Sequence, residues 1–188
     1  MLPGISDDII RKAAQGDLRS FEAIYKATSG FVYNVALRVV NNREDAKEVA
    51  QEVFLNMYHK LKGFRFESSL KTWVYRITVN CALNYAQKTA RTRGRETEYR
   101  DVVMAGEAAP DARAQMDGRH TDEAIEALLE TINPEQRACV VLRGIEGLSY
   151  QEIAETLKIN INTVRTRLKR ARENLLISKK KVADECVS

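Results

Sequence analysis

Apolar residues recur at intervals of three and four along most of this 188-residue chain, and strict alternation is scarce. That period predicts amphipathic helices rather than strands. Between Glu44 and Leu61 the set Ala46, Val49, Ala50, Val53, Phe54, Met57, Tyr58 and Leu61 predicts one helix with a broad buried stripe. Upstream, Phe21, Ile24, Tyr25, Phe31, Val32, Val35, Ala36 and Val39 predict two shorter helices parted near Ser29-Gly30. A further helix opens at Ser68 or Ser69, either able to cap it. It runs to about Lys88, with Leu70, Trp73, Val74, Ile77, Cys81, Ala82 and Tyr85 inward.

The texture changes from Gly94 to Gly118, where Pro110 and six acids against three bases replace the large apolar residues. This reads as an irregular, acidic linker. The expected organisation is an N-terminal helical unit over 1–93, a flexible linker over 94–119 and a smaller C-terminal unit over 120–188. In the last unit, Ile125, Leu128, Leu129 and Ile132 form one apolar face, and Asn133-Pro134 restarts a helix with Pro in its first turn. Ser149-Tyr150-Gln151-Glu152 has the form of a capping box, opening a helix that buries Ile153, Ala154 and Leu157. After the turn Lys158–Ile161, Asn162 is expected to cap a last helix with Val164, Leu168, Ala171 and Leu175 inward. The fold class is therefore all-α, two small helical domains joined by a flexible linker, the second a helix-turn-helix.

Composition narrows the function. Cys81, Cys139 and Cys186 are odd in number, far apart and remote from His59 and His120, so neither a disulfide framework nor a metal site is expected. Cys81 and Cys139 read as small apolar residues, and Cys186 as an incidental tail thiol. No phosphate-binding, dinucleotide-binding, nucleophile-elbow or zinc-protease motif occurs, so no catalytic residue and no cofactor is expected. No apolar run reaches the ~20 residues of a membrane span, and the start has no basic cap followed by an apolar stretch. Those features point to the cytoplasm, with no membrane insertion.

Net charge is only +4, but it is unevenly placed. From Asn160 to Lys181 there are eight bases against the single acid Glu173, a field suited to a polyanion. Charge alone is more often a solvated helix face. Here charge, turn and packing stripe coincide. With Val164, Leu168 and Ala171 inward, Arg165, Thr166, Lys169 and Arg170 project from the first half of the helix, the part that enters a major groove. Arg can grip guanine through two bonds and a Thr methyl can touch thymine. Arg167 and Arg172 lie nearer the flanks and suit phosphates.

Gly147-Leu-Ser-Tyr-Gln-Glu-Ile-Ala-Glu155 followed by Asn162-Thr-Val-Arg-Thr-Arg-Leu-Lys-Arg-Ala-Arg172 resembles region 4 of extracytoplasmic-function (ECF) RNA polymerase sigma factors. Glu44-Asp-Ala-Lys-Glu-Val-Ala-Gln-Glu-Val-Phe54 resembles the core-binding helix of their region 2, and Phe64-Arg-Phe-Glu-Ser-Ser-Leu-Lys-Thr-Trp-Val-Tyr-Arg-Ile77 their promoter-melting element. The two matches occur in order and cover nearly the whole chain. The resemblance implies a sigma-E-like factor that binds core RNA polymerase through its clamp helices and flap. It would direct the enzyme to two-part promoters and help open the DNA, with region 4 reading the −35 element as duplex and region 2 capturing the −10 element as single strand. It also implies control by an anti-sigma factor in a stress response.

On that reading, Asp45, Glu48, Gln51, Glu52 and Asn56 form the outward, polymerase-binding face of their helix. Opposite the core of the helix after Ser69 lie Thr72, Arg76, Asn80, Asn84 and Lys88. An Asn amide offers both donor and acceptor, so Asn80 and Asn84 suit the edge of an extruded base. The loop carrying Phe64, Arg65 and Ser68 could cup that base, although Phe64 and Trp73 also read as packing residues. Three departures stand out: Phe66 and Lys158 occupy places where the family commonly has Gly, and Asn133-Pro134 replaces Leu-Pro. The rival readings are a self-sufficient helix-turn-helix regulator, which lacks a dimerisation helix here, and a sequestering polymerase-binding module, which would need no basic helix.

Overall fold

A computed structural model of the chain describes residues 4–100, 128–145 and 147–185. Among these residues every regular element is helical. The short helix α1 (Asp7–Ala14) is opened by Ser6, whose hydroxyl accepts from the Ile9 N–H, and buries only Ile10 and Ala13. The apolar spacing did not signal it.

Helix α2 (Leu18–Val40) runs unbroken through Ser29-Gly30, where two helices were expected. A helical Gly costs about 1 kcal/mol against Ala. Ile24, Val32, Val35 and Val39 share one buried face on either side of it, and burial of each contributes roughly 1.5–3 kcal/mol. The packing stripe therefore outweighs the local break. Thr28, also buried, satisfies its hydroxyl on the Ile24 carbonyl at 2.7 Å.

Helix α3 (Arg43–Lys60) is capped by Asn42, whose Oδ1 accepts from the N–H groups of Glu44 and Asp45 at 2.9 and 3.0 Å. A 3-10 turn (Leu61–Gly63) ends it. Helix α4 (Leu70–Arg100) is capped by Ser69, which accepts from the Thr72 N–H at 3.1 Å. It continues well past Lys88 and through Gly94, into the stretch read as linker. The remainder of that stretch, 101–119, and Ile125 lie outside the described residues.

The C-terminal unit contains α5 (Pro134–Gly144), α6 (Tyr150–Leu157) and α7 (Ile161–Glu185). Both expected starts are present: Asn133 with Gln136, and Ser149 with Glu152, form reciprocal capping boxes. The Ser149 backbone N–H holds the Glu152 carboxyl below its usual range. The start of α7 differs from expectation. Asn160, not Asn162, accepts a free helical N–H, from Asn162 at 2.8 Å. The Asn162 side chain instead receives Arg165 Nη1 at 3.0 Å.

Buried apolar residues of both units run together into one cluster, from Ile24 and Val39 through Val74 to Leu142, Ile153 and Val164. Two cross-unit hydrogen bonds have a common logic. The last carbonyls of a helix lack partners within it. Arg137 of α5, 9% exposed, donates from Nη1 to the Val39 carbonyl at the end of α2 at 3.0 Å and from Nε to Ile132 at 2.9 Å. Reciprocally, Asn80 Nδ2 of α4 lies 3.5 Å from the Thr156 carbonyl at the end of α6. Each unit caps a helix of the other.

The two departures noted at Phe66 and Lys158 share a physical signature: both residues have left-handed backbones, at φ 58° and 53°. Lys158 closes α6, with its N–H turned back to the Ala154 and Glu155 carbonyls. A side chain in this conformation costs about 1–2 kcal/mol. Lys158→Gly should therefore raise stability by about 1 kcal/mol, seen as a higher urea midpoint by circular dichroism; an unchanged or lower midpoint contradicts the strain.

Candidate nucleic-acid interface and docking groove

Helix α7 presents the faces that its sequence implied, with one exception. Arg165, Thr166, Lys169, Arg170 and Arg172 of α7 are exposed, while Val164 and Ala171 are fully buried against the unit's core. Thr166 turns its hydroxyl back to the Asn162 carbonyl at 2.9 Å, leaving its methyl outward. Lys169 lies 3.9 Å from Glu173, a loose exposed pair of little energetic weight. Arg167 is the exception. It is half-buried and reaches back to the Cys139 thiol on α5. Its stem serves packing, so it is less free for a phosphate than the sequence suggested.

On the N-terminal unit the structure brings together residues expected in two different roles. A polar groove of about 360 Å³ is floored by Arg76, Asn80 and Asn84 of α4 and walled by Glu52, Asn56 and Lys60 of α3. Trp73 closes one end; Glu155, Thr156 and Lys158 of α6 form the far side. Arg76 Nε is buried there without a hydrogen-bond partner. Such unsatisfied groups are rare and call for an explanation; an external acceptor supplies one. Asn56 donates to the Glu52 carbonyl at 3.0 Å and approaches Cys81 Sγ at 3.5 Å. Asn56 is thus half-buried against α4, while Glu52 is exposed at the groove's edge.

The loop before α4 sits beside this groove. Phe64 packs against Trp73 and Phe66, with ring centroids 5.4 and 4.8 Å away, and the Arg11 guanidinium from α1 lies 5.2 Å above Phe66. Trp73 is partly buried: it packs against the core and also joins this aromatic cluster to the groove. Arg65 is exposed and Ser68 half-buried; Thr72 shares a hydroxyl contact of 2.9 Å with Ser69; Lys88 is exposed further along α4.

Asp45 and Glu48 are tied down. The Tyr85 hydroxyl of α4 reaches both, at 2.8 Å from Glu48 and 3.1 Å from Asp45. Those acceptors, Glu48 foremost, push the phenol up to about 12. Of the five residues expected on the polymerase-binding face, only Gln51 lies on a surface with another character. That surface is an apolar groove of about 720 Å³ between α2 and α3. Leu18, Phe21 and Tyr25 line one side, and Ala50, Phe54, Leu55 and Tyr58 the other. Leu18 and Leu55 are 66% and 62% exposed, and Tyr25 and Tyr58 more than 40%. Aromatic pairs hold its floor, Tyr25 against Phe54 at 4.4 Å and Phe21 against Tyr58 at 5.2 Å. The sequence carried a clue. Eight apolar positions on one helix exceed what a single buried stripe needs, and Ala50, Phe54 and Tyr58 are the surplus.

Burial pushes the Cys81 and Cys139 thiols up to about 11, so both stay protonated and act as small apolar residues. Among the described residues no cluster of His, Cys, Asp and Glu could hold a metal, and no helix is long and apolar enough to cross a membrane.

Residues 24–92 match the model for sigma-70 region 2, and residues 122–175 that for sigma-70 region 4. The chain is 33% identical over 180 residues to the ECF RNA polymerase sigma-E factor of Haemophilus influenzae, covering 88% of this chain and 90% of that one. The chain belongs to the ECF sigma factors. It is 32% identical to the RNA polymerase sigma-H factor of Pseudomonas aeruginosa, with 88% of this chain and 89% of that protein covered. For Bacillus subtilis SigW the identity is 30%, over 88% of this chain and 92% of that one. The fold is also that of CnrH, solved in complex with the cytosolic domain of CnrY, at a TM-score of 0.62 and 20% identity, covering 93% of this chain and 96% of CnrH. It is therefore a transcription initiation factor and not an enzyme, and the reading as a self-sufficient helix-turn-helix regulator gives way.

One contact of this sigma factor is open to a direct check. A phenol whose neutral form is favoured by carboxylates keeps that contact below its ordinary ionisation range and loses it only as pH rises through about 12. Ultraviolet titration should show a late-ionising tyrosine that is lost in Tyr85→Phe; an unchanged titration in that variant would place the late group elsewhere.

Proposed function

We propose that this sigma factor divides promoter recognition between its two charged surfaces and docks on core RNA polymerase through the apolar groove. The observation that carries the proposal is the buried, partnerless Arg76 Nε beside Asn80 and Asn84 in a groove continuous with an aromatic loop. This arrangement has the chemistry of a single-strand binder: amides for a base edge, a guanidinium for phosphate, aromatic rings for stacking. Phe64, Arg65, Ser68, Thr72 and Lys88 extend it along the −10 strand. Arg165, Thr166, Lys169 and Arg170 read the −35 duplex, with Arg172 and, in part, Arg167 on its backbone. The functional division follows 1–93 and 120–188, with 94–119 as the connection, and the protein works in the cytoplasm, where its polymerase is.

For docking, the structure shifts the emphasis of the sequence reading. Exposed Leu18, Tyr25, Leu55 and Tyr58 supply the apolar anchor, with Gln51 at its edge. Large exposed apolar side chains mark protein interfaces. Asp45 and Glu48 stand beside it as an acidic rim that suits a basic partner helix, and Glu52 and Asn56 belong with the polar groove. An anti-sigma factor would compete for the same anchor. Bartonella quintana RpoE, 24% identical with a TM-score of 0.62 over 87% of this chain and 98% of its own, was solved with the anti-sigma factor NepR.

The decisive experiment is sequencing of transcripts that core polymerase plus this protein starts on fragmented genomic DNA. A shared two-part promoter should emerge; initiation no different from core polymerase alone would refute the reading. Leu55→Glu should weaken polymerase binding by about tenfold or more with helix content unchanged, and wild-type affinity would remove the groove from the interface. On the promoter so found, Arg170→Ala should weaken −35 reading by about 1–3 kcal/mol, measured by competition among −35 variants. Asn80→Ala should impair opening, followed by permanganate reactivity, more than duplex binding; equal losses would contradict base capture.

A further inference from the structure

Helix α1 lines neither groove, and an isolated helix of its length would not be stable in water. Ile5, Ile10 and Ala13 anchor it in the bundle core, and it packs beside the 3-10 turn Leu61–Gly63. That turn leads directly into the loop that carries Phe64, Arg65 and Phe66. From α1 the exposed Arg11 reaches this loop, its guanidinium 5.2 Å from the centre of the Phe66 ring.

The choice of partner is informative. Asp7 and Asp8 stand four and three residues before Arg11, a spacing that suits ion pairs along a helix. Asp8 bonds Lys12 instead, at 2.7 Å, and Arg11 goes to the ring. A guanidinium over an aromatic face is attracted by the ring's quadrupole.

Phe66 is itself held in an unusual state. Its backbone is left-handed, at φ 58°, a region that bulky residues rarely enter. Its ring is 40% exposed, so core burial does not compel this conformation. A glycine would adopt the same backbone freely; what phenylalanine adds is the ring. Such strain persists where surrounding contacts over-determine it. The contacts here are Arg11 and the Phe64 ring at 4.8 Å. Phe64 in turn packs on Trp73 at 5.4 Å, and Trp73 lines the groove with Arg76, Asn80 and Asn84. One run of contacts thus joins a surface cation on α1 to the groove.

We infer that Arg11 is a positioning residue for −10 recognition: its guanidinium holds the Phe66 ring against Phe64, fixing the loop's shape and hence which base the pocket prefers. This rests on the base-capture reading of the groove given above. Arg11 acts through Phe66 and needs no contact with DNA. A site discriminates only as sharply as its supporting residues hold it, because a loose wall refits to the wrong base. A loop released from α1 would still offer rings for stacking, which every base accepts. Binding would therefore persist while selectivity fell.

Trp73 is the single tryptophan of the chain and reports on the loop directly. Arg11→Met, which keeps the apolar stem, should raise quenching of Trp73 fluorescence by acrylamide, an uncharged quencher. On the −10 element found by transcript sequencing, selectivity is the ratio of permanganate-detected opening between the preferred base and a substituted one. Holoenzyme with Arg11→Met should lose about threefold in that ratio. Arg11→Lys, which keeps the cation, should restore most of both signals, and Arg11→Met should add nothing to Phe66→Leu. Circular dichroism checks folding; Phe66→Leu alone should give the same two changes and serves if Arg11→Met does not fold.

Unchanged quenching overturns the brace. An equal loss of opening on every −10 variant, or an undiminished effect of Arg11→Met in Phe66→Leu, overturns action through the ring. Raised quenching with unchanged selectivity overturns the link to base choice, provided Asn80→Ala still impairs opening more than duplex binding. If Asn80→Ala shows no such difference, base capture itself fails and the selectivity role with it, while the quenching result stands separately.

Discussion

A helix leaves its last carbonyls without partners, and this sigma factor answers that constraint partly across its two units as well as within each. Arg137 of α5 closes the end of α2, and Asn80 of α4 closes the end of α6. These bonds accompany a continuous apolar cluster, so the helix-turn-helix unit sits against the bundle that carries the polar groove. Where the groove lies, what walls it and which of its amides are occupied all depend on this arrangement.

The same economy appears in helix α3, which serves three neighbours. Its buried edge, Val49, Val53 and Met57, fills the bundle core. Its acids Asp45 and Glu48 are held by Tyr85. Its remaining apolar side, with Phe54, Leu55 and Tyr58, opens into a groove on the surface. A helix has room for this division because successive residues are turned by about 100°. On the proposed reading, polymerase docking and DNA capture occupy separate sides of one small bundle.

Local strain and unsatisfied groups mark the regions next to DNA in the proposed complex. Lys158 and Phe66 have left-handed backbones where a glycine would be unstrained, and both border the groove or its aromatic loop. Arg76 keeps a buried Nε without a partner. Departures from local preference persist where surrounding contacts over-determine them, often near functional sites.

Much of this was legible in the sequence because it depends on local rules. Helical period, the caps at Asn133 and Ser149, and the inward Val164 and Ala171 that turn Arg165 and Arg170 outward all follow from residues within a turn or two of one another. So does the separation of a basic helix-turn-helix from a larger bundle, and the family resemblance rests on the same contiguous motifs. Other features required distant residues to meet. Ser29-Gly30 looked like a break until the stripe from Ile24 to Val39 found a core to fill. Tyr58 read as buried but is 43% exposed beside half-buried Ala50 and Phe54, and Asn56, read as outward, is half-buried against α4. The helical period says which residues share a face, but not which neighbour that face meets. That choice is made by burial and hydrogen bonding between elements far apart in the chain, and only the tertiary structure decides it.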